Sequence, residues 1–298
     1  MTTQTHNTSS ARVSLAGARV TFGRVLRSEW RKYWSLRATW ILFLTGVGLT
    51  LAFAALGTWA IAATSSGAPS ELGISGGTFP TFMVTQLATS GFQFGALLLA
   101  CVIIVNTGGE FSTHTIVSTF SAVPSRTPAY LAKAAIAGVV GFVTGFLAHL
   151  AATGLVLLVL KAYSYGTDVG STLLRHALVS GLVVLVLVWL ALGFAALLRN
   201  TAGAIVTLIG LVVLVSMVLA IVTALAPTVE IVGWLSRHLP MEAVGALRPA
   251  DPGLAELNGA AGLDSTTLGP LDAWLTTAFW GLVPLVAGWF SFKYRAAR

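Results

Sequence analysis

The chain has 298 residues, of which 56% are hydrophobic and only 9% are charged. A soluble domain carries about 25% charged residues, so this composition excludes an ordinary soluble enzyme, a disordered chain and a coiled coil. The mean hydropathy of +0.85 indicates instead a protein that lies in a lipid bilayer. The net charge is +7, and in a membrane protein the placement of these charges sets the orientation.

The N-terminal region precedes the first long apolar run. Residues 1–18 are rich in Thr, Ser, Asn and Ala, which predicts a disordered tail. In residues 19–37 apolar side chains recur on one helical face, and Arg24, Arg27 and Arg31 fall on the opposite face. A basic helix with tryptophan on its apolar side is typical of the membrane interface. The pattern predicts an interfacial elbow helix that leads into the first span, with a generic membrane anchor as the alternative.

Six apolar segments are long enough to cross a bilayer, which takes about 20 residues in a helix. Runs such as residues 155–160 do not alternate in polarity, which favours helices over the strands of a membrane barrel. The predicted fold is therefore an all-α membrane protein whose transmembrane domain covers residues 38–298. The predicted spans are residues 38–63, 84–107, 132–160, 176–198, 202–226 and 273–292.

The charged residues are divided unevenly between the loops on the two sides. With the N-terminus in the cytoplasm, the inside segments carry 13 basic and 2 acidic residues, and the outside segments carry 4 basic and 8 acidic ones. Cytoplasmic loops are enriched in Lys and Arg, so this division predicts that both termini are cytoplasmic. The basic balance is then explained by topology, and no basic patch with interleaved aromatic residues points to nucleic acid.

Span two carries polar, uncharged side chains at helical spacing, which predicts a face toward a cavity or a pathway. Hydrogen bonding between helices is the alternative. The possible pathway residues are Gln86, Thr89, Ser90, Gln93 and Asn106. Two Gly-x-x-x-Gly patterns, at residues 91–95 and 141–145, allow close packing of helices.

His149 is an ionisable residue in the middle of a span, either a proton relay or a hydrogen-bonded histidine that faces the bundle. The six predicted spans contain no Asp or Glu. A proton- or sodium-coupled carrier usually needs carboxylates at this depth, so their absence argues against that class of transporter.

Two segments between spans have helical patterns of their own. Residues 108–128 are rich in Thr and Ser with apolar residues interspersed, and a short helix there could dock into the groove of a soluble partner. A mere connecting loop is the alternative. Residues 227–248 predict a short external helix broken at Pro240, either a gate or a surface helix packed on the bundle.

Several catalytic patterns are missing. None of the four lysines follows a glycine, so the chain has no phosphate-binding loop and we expect no ATP hydrolysis on it. No metal site is expected, because the sequence has one cysteine, Cys101, and no His-Glu-x-x-His pattern. Residues 73–77 match the Gly-x-Ser-x-Gly nucleophile pattern, but they lie between two spans without the strand that this motif needs, so a flexible loop is predicted.

Two stretches resemble the permeases of bacterial type-2 ABC transporters, especially actinobacterial ones. The first is Ser28-Glu29-Trp30-x-Lys32 followed by Arg37-x-Thr39-Trp40, which is similar to the elbow helix of this family. The second is similar to the coupling helix and consists of Glu110-Phe111, Thr115-Ile116, Thr119-Phe120, Pro124-x-Arg126 and Lys133. The chain departs from the family at Ser112 and His114, where a basic residue and a glycine are usual.

The resemblance implies a permease subunit in the bacterial inner membrane, paired with an identical or homologous permease chain. It also implies two separate phosphate-loop ATPase subunits that bind ATP and Mg²⁺, with no cofactor on this chain. The residues expected to contact the ATPase subunit are Glu29, Lys32, Glu110, Phe111, His114, Thr115, Ile116, Thr119, Phe120, Pro124 and Arg126. The expected activity is export of a hydrophobic or amphipathic compound such as a drug, a peptide or a lipid. A non-transport membrane protein, acting in assembly, sensing or immunity, is the alternative.

Overall fold

The computed structural model describes residues 21–64, 77–113, 115–116, 126–167, 172–226, 229–248 and 268–294. Within these ranges it has six helices long and apolar enough to cross a membrane. They are Arg37–Thr64, Thr81–Ser112, Thr127–Ala162, Leu173–Leu198, Thr201–Leu225 and Pro270–Tyr294. The prediction of an all-α membrane protein is confirmed at this level. The predicted tail, residues 1–18, and residues 73–76 of the predicted flexible loop at 73–77 lie outside the described residues.

The helices are numbered in chain order. Helix α1 (Phe22–Ser35) is followed by the first span, α2 (Arg37–Thr64). The second span consists of α3 (Thr81–Thr89) and α4 (Phe92–Ser112), and the third and fourth are α5 (Thr127–Ala162) and α6 (Leu173–Leu198). The fifth span comprises α7 (Thr201–Ile209), a π-helical segment (Gly210–Val215) and α8 (Ser216–Leu225). Two short helices, α9 (Glu230–Arg237) and α10 (Pro240–Gly245), precede the sixth span, α11 (Pro270–Tyr294).

The two ends of the bundle are marked by different elements. At the end that we call the α1 end, α1 packs against α5. At the opposite end, which we call the far end, two short strands pair in parallel, β1 (Thr78–Phe79) with β2 (Gly166–Thr167). The short helices α9 and α10 also lie toward the far end, where α10 packs against α6 and α11.

Helix α6 forms the centre of the bundle and packs against α4, α5, α7, α10 and α11. It is apolar on all sides, which is the pattern of a helix buried all round. The fifth span is the opposite case. Only 11% of the residues in its most apolar 18-residue stretch are buried, compared with 67% in the corresponding stretch of α6. No residue of α8 is buried. The apolar surface of the fifth span therefore suits contact with lipid or with another membrane chain.

Glycines set the closest helix contacts, as the two Gly-x-x-x-Gly patterns predict. A Cβ on Gly145 would lie 2.6 Å from Cγ2 of Val184 and 2.8 Å from the carbonyl oxygen of Ser180, so α5 and α6 can approach this closely only at a glycine. A Cβ on Gly91 would lie 3.0 Å from the carbonyl oxygen of Leu49. The second span breaks at this position, between α3 and α4, and is thus not the single helix that the sequence predicts.

Candidate functional site

Four charged side chains meet at the α1 end, where α1, α4 and α5 come together. Helix α1 supplies Glu29 and Lys32, α4 supplies Glu110 near its last turn, and α5 supplies Lys133 in its second turn. We call these four residues the ion cluster. The side chains of Glu29 and Lys133 are only 4% and 9% exposed, so most of this charge is removed from water.

Each ammonium group in the ion cluster contacts both carboxylates. Lys133 Nζ donates to Glu29 Oε2 at 2.6 Å and to Glu110 Oε1 at 2.8 Å. Lys32 Nζ donates to Glu29 Oε1 at 2.9 Å and to Glu110 Oε1 at 3.4 Å. The two positive and two negative charges cancel, which is the condition under which buried ions are tolerated.

The ionisation of Glu29 reflects two opposing effects. Burial disfavours the charged carboxylate and by itself would raise the pKa of Glu29. The charges and hydrogen bonds of Lys133 and then of Lys32 outweigh burial, so the pKa of this carboxyl lies below its ordinary value. Glu29 is therefore a stable anion at neutral pH.

The position of Glu29 follows from the helical period of α1. Val25, Glu29 and Tyr33 are its buried residues, four apart, and they lie on the face that packs against α5. The apolar neighbours dock the helix while the carboxylate between them reaches Lys133. The buried face of α1 thus has an ion pair between its apolar residues.

A small cavity adjoins the ion cluster and has a volume of about 30 Å³ that water can occupy. This is room for about two waters. Its polar lining includes Asn106 and Glu110, and Glu110 Oε2 is buried with no hydrogen-bond partner among the described residues. Asn106 Nδ2 donates to Thr39 Oγ1 and to the carbonyl oxygen of Val102, both at 2.9 Å, and so joins the first two spans.

The other expected ATPase-contact residues differ in how much of them is accessible. Phe111 is 9% exposed and packs edge-on against Phe292, with the guanidinium of Arg199 5.2 Å above its ring. Ile116 is buried, whereas Thr115 is exposed.

At the nearby end of α11, Arg126 Nη1 donates to the carbonyl oxygen of Lys293 at 3.4 Å. Among the expected contact residues, His114, Thr119, Phe120 and Pro124 lie outside the described residues.

The predicted pathway residues fall into two places. Gln86, Ser90 and Gln93 are exposed on one side of the second span, and Thr89 beside them is half-buried. The hydroxyl groups of Thr89 and Ser90 donate to carbonyl oxygens of their own helix, each at 2.9 Å. The Gln86 and Gln93 amides make no hydrogen bond to any residue in the described ranges. Asn106 lies apart from this polar stripe, in the cavity behind the ion cluster.

A second buried polar group lies toward the far end. His149 is completely buried, and its Nδ1 lies 3.2 Å from Ser180 Oγ. The ring of His176 is nearly parallel to it at a centroid distance of 6.4 Å. His149 Nε2 and the Nε atom of Arg248, which follows α10, are both buried and have no hydrogen-bond partner among the described residues.

Sequence reasoning named three members of the ion cluster and left Lys133 out of the candidate contact residues. No three His, Cys, Asp or Glu side chains are grouped closely enough to hold a metal ion in the described part of the chain. Neither the known protein-family models nor the curated proteins include a match to this chain. The functional assignment therefore depends on the residues and on their geometry.

Proposed function

We propose that this chain is the permease subunit of an ATP-driven, type-2 ABC transporter in the bacterial inner membrane, with both termini in the cytoplasm. Two permease chains, identical or homologous, would assemble with two phosphate-loop ATPase subunits that bind ATP and Mg²⁺. The cargo would be a hydrophobic or amphipathic compound that is exported: a drug, a peptide or a lipid. The ion cluster is the observation that carries this proposal.

The ion cluster joins the three elements that a coupling segment has to move. Residues 110–126 leave the last turn of α4 and lead into α5, and the cluster ties both of these helices to α1. A force applied to this segment by an ATPase subunit would reach α1, α4 and α5 together. In this proposal Glu29, Lys32 and Glu110 act through the fold, and direct contact is made by exposed residues such as Thr115.

The direction of the proposed cycle depends on differential binding. An ATPase pair that closes on ATP can shift the bundle only if it binds one state of the permease more tightly than the other. The exposed residue Thr115 would lie on the surface where the two states bind the ATPase differently, and the ion cluster would keep α1, α4 and α5 together while the rest of the bundle rearranges.

The polar stripe on the second span supports a pair of permease chains. Gln93 lies 17 residues before Glu110, about 25 Å along the helix, which is within a hydrocarbon core of about 30 Å. An amide facing lipid at this depth lacks hydrogen-bond partners and is costly. A second chain, or a polar route between two chains, would supply those partners.

The first test is to purify the tagged full chain in mild detergent and to identify the proteins that accompany it by mass spectrometry. We expect a phosphate-loop ATPase in roughly equal amount. A well-folded chain that purifies alone would overturn the proposal and favour the alternative of a non-transport membrane protein in assembly, sensing or immunity.

A variant sharpens this test at the proposed contact. Thr115→Trp places a bulky side chain at this exposed position and should reduce ATPase recovery at least tenfold, a loss of about 1.4 kcal/mol in binding. Thr64→Trp is the matched control, because Thr64 is also an exposed threonine but lies at the far end of α2. Equal ATPase recovery with both variants would contradict docking at residue 115.

A further inference from the structure

Helix α1 separates its charged residues onto two faces. Its one carboxylate, Glu29, is turned inward to the ion cluster, where Lys32 also bonds. Arg24, Arg27 and Arg31 are exposed on the other side. In the described ranges no carboxylate forms an ion pair with these three arginines. Positively and negatively charged residues are interspersed in the sequence of α1, but the folded helix presents only positive charge on this exposed face.

Aromatic rings lie beside this arginine face. Trp30 and Trp40 are 45% and 47% exposed, and Trp34 lies between them with ring centroid distances of 5.8 Å and 4.9 Å. Trp40 Nε1 donates to the carbonyl oxygen of Trp34 at 3.1 Å, which fixes the end of α1 to the start of α2. We call Trp30, Trp34 and Trp40 the aromatic ledge.

The arginine face and the aromatic ledge lie where the first span leaves the membrane. Only Leu36 separates α1 from α2. Helix α2 has 28 residues and is about 42 Å long, so its ends extend beyond a hydrocarbon core of about 30 Å into the headgroup regions. Tryptophan rings are enriched at that level of a membrane. Because α1 adjoins this end of the span, its exposed arginines are within reach of lipid phosphates in the proposed arrangement.

We propose that the arginine face of α1, together with the aromatic ledge, binds the headgroups of anionic phospholipids. A guanidinium can hold a phosphate through two parallel hydrogen bonds, and three of them in succession match a negatively charged lipid surface. The tryptophan rings hold the helix at the depth where these bonds form. This binding involves only α1, the start of α2 and lipid, so it stands independently of the proposed ATPase partner.

The expected strength follows from the charge. Each arginine near an anionic membrane surface contributes about 1 kcal/mol, or about fivefold in affinity, so three contribute roughly a hundredfold. The contribution should shrink in about 1 M salt, where the Debye length is about 3 Å. Binding of a neutral lipid should not depend on salt in this way.

The test uses the full chain in a neutral detergent. Phosphatidylglycerol or phosphatidylcholine is added, and the lipids that stay bound are counted by native mass spectrometry. We expect the wild type to retain phosphatidylglycerol preferentially and the triple variant Arg24→Gln, Arg27→Gln, Arg31→Gln to lose this preference. Arg175→Gln is the matched control, an exposed arginine at the far end of α6, and should behave as wild type.

Two results would overturn the proposal. One is equal retention of the two lipids by the wild type, and the other is an unchanged preference in the triple variant. If the triple variant keeps the lipid preference but no longer recovers the ATPase, the arginine face of α1 is instead a surface that docks a protein. Correct folding can be verified with a thiol-reactive dye, because Cys101, the single cysteine, is buried and reacts when the bundle unfolds.

Discussion

The two ends of the helix bundle bury polar groups in different ways. At the α1 end, the ion cluster brings two ammonium groups into contact with two carboxylates at 2.6–3.4 Å. Toward the far end, the described residues give the His149 ring one hydrogen-bonding neighbour, Ser180, and give Arg248 Nε none. Glu110 Oε2 in the ion cluster also has no partner among the described residues, so the two ends differ in the pairing of charges and not in whether every buried polar atom is satisfied.

This difference bears on where the bundle is held most firmly. Leaving a buried polar atom without a partner costs about 1–3 kcal/mol, whereas a matched network stabilises the elements that it joins. In the described residues the α1 end has such a network of paired charges and the far end does not. In the proposed transport cycle the α1 end would move as a unit with the ATPase subunits.

The largest expected effect comes from removing the central cation of the ion cluster. Lys133→Met keeps the length of the side chain but leaves two carboxylates with Lys32 alone. Unbalancing a buried ion pair in this way costs about 3–5 kcal/mol. The loss should appear as a lower melting temperature at neutral pH, followed through the reaction of Cys101 with a thiol dye.

A compensated variant provides the control for this prediction. Combining Lys133→Met with Glu110→Gln leaves one cation, Lys32, paired with one carboxylate, Glu29, and most of the lost stability should return. If the double variant is no more stable than Lys133→Met alone, the loss comes from packing and not from unbalanced charge.

A smaller effect is expected at the far end. The double variant His149→Leu, Ser180→Ala removes both members of a hydrogen bond and also the unpartnered nitrogen of His149. Replacing both partners by apolar groups is often nearly neutral, so we expect a change within about 1 kcal/mol. The same melting assay measures it, and a loss as large as that of Lys133→Met would show that the two ends are equally well bonded.

The number and position of the spans could be predicted because lipid imposes a minimum length on an apolar helix. The helix ends could not, because a helix continues past the membrane surface. The third span, predicted over 132–160, extends over Thr127–Ala162 and the second, predicted over 84–107, covers Thr81–Ser112. The break in the second span was missed; it coincides with the close approach of Gly91 to the neighbouring helix α2, a tertiary contact that the sequence pattern does not reveal.

The candidate site was predictable only in part. Glu29 and Glu110 stand out in the sequence by resemblance, but they lie 104 and 23 residues from Lys133, and only the packing of three helices brings them together. Asn106 was grouped with Gln93 because both are polar residues of one helix. Thirteen residues at 3.6 per turn rotate Asn106 about 140° away from Gln93, which agrees with its different surroundings.

The smallest expected effect is the dependence of stability on acid at the α1 end. The pKa of Glu29 lies below its ordinary value of 4.5, so its ion pairs stabilise the fold above that pH. This contribution is lost as the pH falls through the pKa of the folded state. Between about pH 6 and pH 3 the wild type should therefore lose more stability than Glu29→Gln, which has no carboxyl group to protonate.

Thermal unfolding followed by tryptophan fluorescence measures this difference without requiring a reactive thiol. Glu230→Gln is a suitable control, because Glu230 lies at the start of α9 and is exposed. It should retain the acid dependence of the wild type. If Glu29→Gln retains that dependence as well, the acid-sensitive contacts lie elsewhere. The ion cluster then does not make the stability of the α1 end depend on the ionisation of Glu29.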